Sequence, residues 1–171
     1  LREKGTNRSR FFRGQVDKYT WVDRGSSYLP SELLAAVLLS QLESWQLIQQ
    51  KRGAIWKQYN AEIHEWATQN RVRQPYVPEY CEQPNHMYYL LMPSLDVRTR
   101  FIQHLKEHNI MAVFHYLPLH ISDMGLRFGG KPGDCPVTED ISDRLVRLPL
   151  YYNMLPEETE RVIEAVQQFK P

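Results

Sequence analysis

Cysteine is scarce: the 171 residues hold two, Cys81 and Cys135. They make no CxxC pair and no framework, which excludes a disulfide scaffold. We expect two free thiols in a reducing, cytoplasmic setting. Long apolar runs are missing as well. The longest, residues 33–39, falls far short of the roughly 18–20 residues that cross a bilayer, so no membrane span is expected. The opening Leu1-Arg2-Glu3-Lys4-Gly5 has no apolar h-region and does not read as a signal peptide. It also lacks an initiator Met, and we expect a piece of a longer chain. No Walker loop, nucleophile elbow or GxGxxG is present. No internal repeat is visible, and no His/Cys/carboxylate cluster has metal-ligand spacing.

A large net charge is absent too. The formal balance is +1, and the pI of about 8.0 is below what a nucleic-acid-binding body usually shows. That near-zero sum hides a split. Arg2, Lys4, Arg8, Arg10, Arg13, Lys18 and Arg24 face only Glu3, Asp17 and Asp23, so residues 1–24 carry +4 and the rest −3. A basic arm with interleaved aromatics (Phe11, Phe12, Tyr19, Trp21) precedes a mildly acidic body. With 42% hydrophobic and 24% charged residues the composition is that of an ordinary globular protein, and the length suits one domain, or one domain plus an arm.

Residues 1–29 show no helical or strand period and read as an extended loop or β-hairpin. A helix is expected to open at Pro30-Ser31-Glu32, where Ser31 or Glu32 complements the free N–H groups. Leu33, Leu34, Val37, Leu38, Leu42, Trp45 and Ile48 recur at helical spacing. Ile55, Tyr59, Ile63 and Trp66 continue the pattern. This is one long helix or two in line, with Gly53 a candidate kink, ending before Pro75. Residues 86–92 and 110–114 read as strands, with a helix from Asp96 to His108 between them and Asn109 as its C-cap. A Pro- and Gly-rich loop is expected over 115–137, a length that is usually functional. Thr138 opens a short helix, Leu148-Pro149-Leu150 reads as an edge strand, and Pro156 starts the last helix. The order implies a small α+β layer with helices on one face of a sheet.

Three places could carry chemistry. His115-Tyr116-Leu117-Pro118-Leu119-His120 follows a strand directly. It reads either as the polar wall of a ligand pocket or as two solvated histidines. Pro118 between the histidines argues against a metal pair. Arg8-Ser9-Arg10-Phe11-Phe12-Arg13 suits phosphate, through a small anion such as a phosphorylated cofactor or sugar nucleotide, or through nucleic acid; it also suits an interface arm. Gly25-Ser26-Ser27-Tyr28-Leu29-Pro30-Ser31 runs into a helix, a place suited to phosphate. Glu139 and Asp140 read as first-turn helix residues, not as a catalytic pair.

At these places the chain resembles a known family. The strings are Arg2-Glu3-Lys4-Gly5-Thr6-Asn7-Arg8, Asp17-Lys18-Tyr19-Thr20-Trp21, Gly25 to Ser31, Met111-Ala112-Val113-Phe114-His115-Tyr116-Leu117-Pro118-Leu119-His120 and Arg147-Leu148-Pro149-Leu150-Tyr151. They are similar to the sugar-nucleotide aminotransferases of the DegT/StrS group. The resemblance implies an α/β fold-type-I transferase that uses pyridoxal 5′-phosphate as a cytoplasmic homodimer. It implies transfer of an amino group from glutamate to the 4-keto carbon of a dTDP-4-keto-6-deoxyhexose for surface polysaccharide. This chain would be the C-terminal part: residues 1–30 an arm from the large domain, 31–70 a linking helix, and 71–171 the small α+β domain. The family's cofactor-bearing Lys would lie upstream, since Lys4, Lys18, Lys51, Lys57, Lys106, Lys131 and Lys170 do not sit in its motif. No catalytic residue and no metal ligand is therefore expected here. Ser27 stands where relatives often place an Asn on the cofactor phosphate. Asn7, Arg8, Tyr28, His115, Tyr116 and His120 would line the nucleotide-sugar side. The alternative is a non-catalytic interaction module whose basic arm binds nucleic acid or a partner chain.

Overall fold

The computed structural model describes residues 5–18, 20–26, 28 and 30–171, in two compact units, Leu1–Trp45 and Gln46–Pro171. In the first unit the arm folds back on itself. Asn7 precedes a short helix α1 (Arg8–Phe12), and its Oδ1 accepts the Thr20 N–H at 2.7 Å. A single antiparallel bridge joins Thr6 to Trp21, and the Gly5 carbonyl accepts from Val22 and Asp23. The expected loop or hairpin therefore holds a turn of helix between its returning ends. Five residues are too few for a periodicity signal.

Helix α2 (Glu32–Glu43) begins as expected: the Ser31 hydroxyl accepts the Leu34 N–H at 3.3 Å. Leu33, Leu34, Val37, Leu38, Leu39 and Leu42 are all more than half exposed. A helix apolar around most of its circumference is the kind that is stable when covered.

The helical pattern continues as α3 (Trp45–Glu62) and α4 (His64–Gln69). The interruptions fall at Ser44 and Ile63. Gly53, the expected kink, is a buried position inside α3, facing the Asn85 side chain.

The second unit is built on a three-stranded sheet. Strand β1 (Tyr88–Leu91) leads to α5 (Leu95–Glu107), capped by Ser94, whose hydroxyl accepts the Val97 N–H at 3.2 Å. Asn109 closes α5 in the left-handed region, at φ 58°, as its short polar side chain tolerates. Strand β2 (Val113–Phe114) is shorter than the expected 110–114. The 115–137 loop is not structureless: it contains a 3₁₀ turn (Leu119–Ile121) and α6 (Asp123–Arg127). Helix α7 (Pro136–Arg144) then runs into β3 (Leu145–Leu148), and α8 (Pro156–Gln168) ends the unit.

The order is β1-β3-β2, antiparallel throughout. The strand expected at 148–150 as an edge is thus β3, displaced towards the N-terminus and central. Pro149 falls just past its last pair, Tyr88 with Leu148, where a missing N–H costs no ladder bond. On the buried face Tyr88, Leu90, Val146 and Leu148 join Phe101 and Leu105 of α5 and Val162, Ile163 and Val166 of α8 in one core. Tyr59 of α3 is fully buried, and its hydroxyl donates to the Pro149 carbonyl at 2.9 Å. Burial also pushes the Tyr88 hydroxyl up to about 12, so it stays a neutral hydrogen-bonding group. Both cysteines are free and exposed.

Candidate functional site

Opposite residues in an antiparallel pair share a face. Tyr89, Arg147 and Val113 therefore form one row across the sheet, on the face turned away from the core. Directly after β2 the chain presents His115 and Tyr116. His115 is half-buried, its ring edge-on to Tyr116 at 5.7 Å, and its Nδ1 is buried without a partner. Tyr116 is exposed, and the Arg147 guanidinium stands 5.9 Å from its ring centroid. The expected residues His115 and Tyr116 are thus brought together, with Arg147 beside them. Arg147 carries no role in the sequence reading, although an arginine between Val146 and Leu148 was the legible signal: an alternating strand puts it on the open face.

His120 is placed differently. Its Nε2 meets Glu139 Oε1 at 2.8 Å, and Glu139 also accepts from the Gly133 N–H at 2.9 Å and the Cys135 N–H at 3.4 Å. The pair clasps the 3₁₀ turn to the start of α7. Close packing beneath makes the clasp possible. A Cβ on Gly125 would stand 1.9 Å from the Leu119 carbonyl oxygen, and one on Gly130 would stand 2.4 Å from that of His120. Glu139, read from sequence as a first-turn residue, is both that and the fastener of the loop.

The His120 hydrogen bond, followed by those from Gly133 and Cys135, holds the Glu139 carboxyl below its ordinary 4.5. A carboxyl lowered in the folded state stabilises fully above its unfolded value and ceases to as pH falls through the folded one. The clasp is therefore expected to open on acidification below the ordinary carboxylate range. The protection factors of the Gly133 and Cys135 amides would fall there, and Glu139→Gln should abolish that acid dependence. Protection factors that are flat across the range in the parent chain would refute the clasp.

In the first unit Asn7 and Arg8 are adjacent. Asn7 is occupied in pinning the arm through Thr20, and Arg8 is exposed with its guanidinium 5.2 Å from the Phe12 ring centroid. Tyr28 is exposed, its N–H bonded to the Ser26 carbonyl at 3.2 Å. Ser27, the expected phosphate ligand, lies outside the described residues. Among the described residues no group of three or more His, Cys, Asp or Glu could hold a metal, and no helix is long and apolar enough to cross a membrane.

Known proteins carry the same fold. A Streptococcus pneumoniae protein assigned as a sugar aminotransferase superposes with a TM-score of 0.82 at 22% identity, over 98% of this chain and 40% of that one. DesV of S. venezuelae gives 0.80 at 22% identity, over 94% of this chain and 43% of its own. In sequence, an uncharacterized protein of Methanocaldococcus jannaschii is 29% identical over 154 residues. The dTDP-3-amino-3,6-dideoxy-alpha-D-galactopyranose transaminase of Aneurinibacillus thermoaerophilus is 28% identical over 159 residues. These matches cover 88% and 91% of this chain but only 39% and 41% of those proteins. A nucleic-acid or partner-binding module finds no support among these likenesses.

The aminotransferases of this type depend on pyridoxal 5′-phosphate, and the pneumococcal protein is known in pyridoxal- and pyridoxamine-phosphate forms. The open sheet face offers donors that suit an acidic ligand. Arg147 and His115 offer a fixed cation and an unpartnered ring nitrogen. Residues 1–167 match the DegT/DnrJ/EryC1/StrS aminotransferases, and the chain belongs to that family.

Proposed function

We propose that the chain is the C-terminal part of a sugar-nucleotide aminotransferase, a cytoplasmic homodimer. It would convert a dTDP-4-keto-6-deoxyhexose and glutamate into the 4-amino sugar nucleotide and 2-oxoglutarate. The strings around Gly25–Ser31 and His115–His120 are similar to those of the dTDP-4-amino-4,6-dideoxygalactose transaminases that serve enterobacterial common antigen synthesis. The observation that supports the reading is the family match over residues 1–167, beside an unpartnered His115 Nδ1 directly after β2.

Pyridoxal phosphate supplies an electron sink for moving the amino group between two carbonyl carbons. The chain's own residues bind and orient. Ser27 would donate its hydroxyl to the cofactor phosphate, with fewer donors than an amide. Asn7, Arg8 and Tyr28 would serve the sugar nucleotide from the arm. Tyr116 would present its exposed ring and hydroxyl to the sugar nucleotide, and His115 its free Nδ1. His120 would act one step back, by holding the loop that follows Tyr116.

The test is turnover by the complete polypeptide with pyridoxal phosphate, glutamate and dTDP-4-keto-6-deoxyglucose, read by mass spectrometry and product NMR. The 4-amino product is expected. A 3-amino product from the 3-keto isomer would move the reading to the reaction for which the Aneurinibacillus relative is named. No amino sugar from either would overturn it.

A further inference from the structure

Arg147 is a cation without a counter-ion among the described residues. It stands half-buried on the central strand, flanked by Tyr89 and Val113. Its guanidinium donates one hydrogen bond, from Nη2 to the Phe114 carbonyl at 3.3 Å, and its Nε is buried without a partner. The ion pairs among the described residues are Arg100 with Asp96, His120 with Glu139 and Arg144 with Asp140, and none involves Arg147. Charged groups taken partly out of water are normally paired, because desolvation is otherwise uncompensated.

Beside Arg147 lies a cavity of about 200 Å³, lined also by His86, Met87, Val113, Leu148 and Leu150. No acid is among them. The cavity has room for several waters or for one small anionic group. It offers a fixed positive charge, the ring nitrogens of His86, and the aliphatic side chains of Val113, Leu148 and Leu150 beside them.

We propose that this cavity is an oxyanion-binding site in which the Arg147 guanidinium holds a carboxylate or phosphate group. Guanidinium presents several donors in a planar fork that matches either oxyanion. The Nη2 bond to Phe114 and the approach to Tyr116 tie the same guanidinium to the 114–116 segment. An anion on Arg147 would thereby also steady Tyr116. Which molecule brings the oxyanion rests on the reading given under Proposed function: a carboxylate of the amino donor, or a phosphate of the sugar nucleotide.

The experiment needs neither cofactor nor turnover, so its failure is separable from failure of the aminotransferase reading. The chain is titrated with inorganic phosphate and, separately, with glutarate. The His86 ring protons are followed by NMR, assigned through His86→Gln. Saturable shifts are expected with at least one probe. Phosphate alone would identify the nucleotide end, and glutarate alone the amino donor. Arg147→Met should weaken binding by roughly 10- to 100-fold, the loss of a charge-assisted hydrogen bond. Arg147→Lys should retain part of it. Arg100→Met, an exposed cation on α5, should leave it unchanged, and circular dichroism checks that each variant is folded. Absence of saturation with both probes, or an Arg147→Met variant that binds as the parent does, would overturn the site.

Discussion

Replacing Gly125 with alanine is expected to dismantle the loop that follows His115 and Tyr116. The new Cβ would meet the Leu119 carbonyl oxygen at 1.9 Å and the His120 carbonyl carbon and oxygen at 2.8 Å each. All three are backbone atoms, so no rotamer change relieves the overlap. The 3₁₀ turn at Leu119–Ile121 must move away from α6, and His120 moves with it. Overpacking of this kind costs about 1–3 kcal/mol, occasionally more. For a chain of this size that is a fall in Tm of roughly 2–12 °C. The diagnostic readout is local: the protection of Gly133 and Cys135 that Glu139 confers should vanish in Gly125→Ala at neutral pH. A variant that keeps both its Tm and that protection would show that the turn can shift freely, and would remove the packing argument for the clasp.

A second large loss is expected at Phe101. This side chain is fully buried, stacked on Trp66 at 6.0 Å and edge-on to Phe169 at 5.1 Å. Trp66 in turn donates its indole N–H to the Phe169 carbonyl at 2.9 Å. The three rings join α4, α5 and the end of the chain, so a hole at Phe101 cannot close by shifting one side chain. Phe101→Ala should cost about 3–5 kcal/mol. Against a total stability of about 5–15 kcal/mol, that is roughly a fifth or more of the margin. Urea unfolding followed by tryptophan fluorescence measures it. Phe101→Leu, which leaves a smaller void, should recover much of the loss. A shift below about 1 kcal/mol in Phe101→Ala would mean that the three rings are not a rigid unit.

The helices were legible wherever capping and periodicity agreed. Ser31, Asn109 and Pro156 mark helix ends that the structure keeps, because a cap is a local event between residues a few positions apart. The strands were legible in place but not in rank. Leu145 to Leu148 is the central strand because it pairs with both β1 and β2, each far from it in sequence. No local signal states which strand will have two neighbours.

The candidate site divides along the same line. His115, Tyr116 and His120 stand out in the sequence as polar residues following a strand. Their composition could not say that His120 turns to Glu139 while His115 keeps a free ring nitrogen, since that depends on how α7 returns across the loop. Arg147 was least visible, because an arginine in a short strand is ordinary until its neighbours are known. By itself, then, the sequence determined the α+β class, most helix ends and the likeness to the sugar aminotransferases. Those are properties of local spacing and of strings of adjacent residues. Tertiary structure alone decided which polar side chains were already paired and which were left without a partner among the described residues. Pairing depends on groups brought together across 19 to 33 residues of chain, as between His120 and Glu139 or between Phe114 and Arg147.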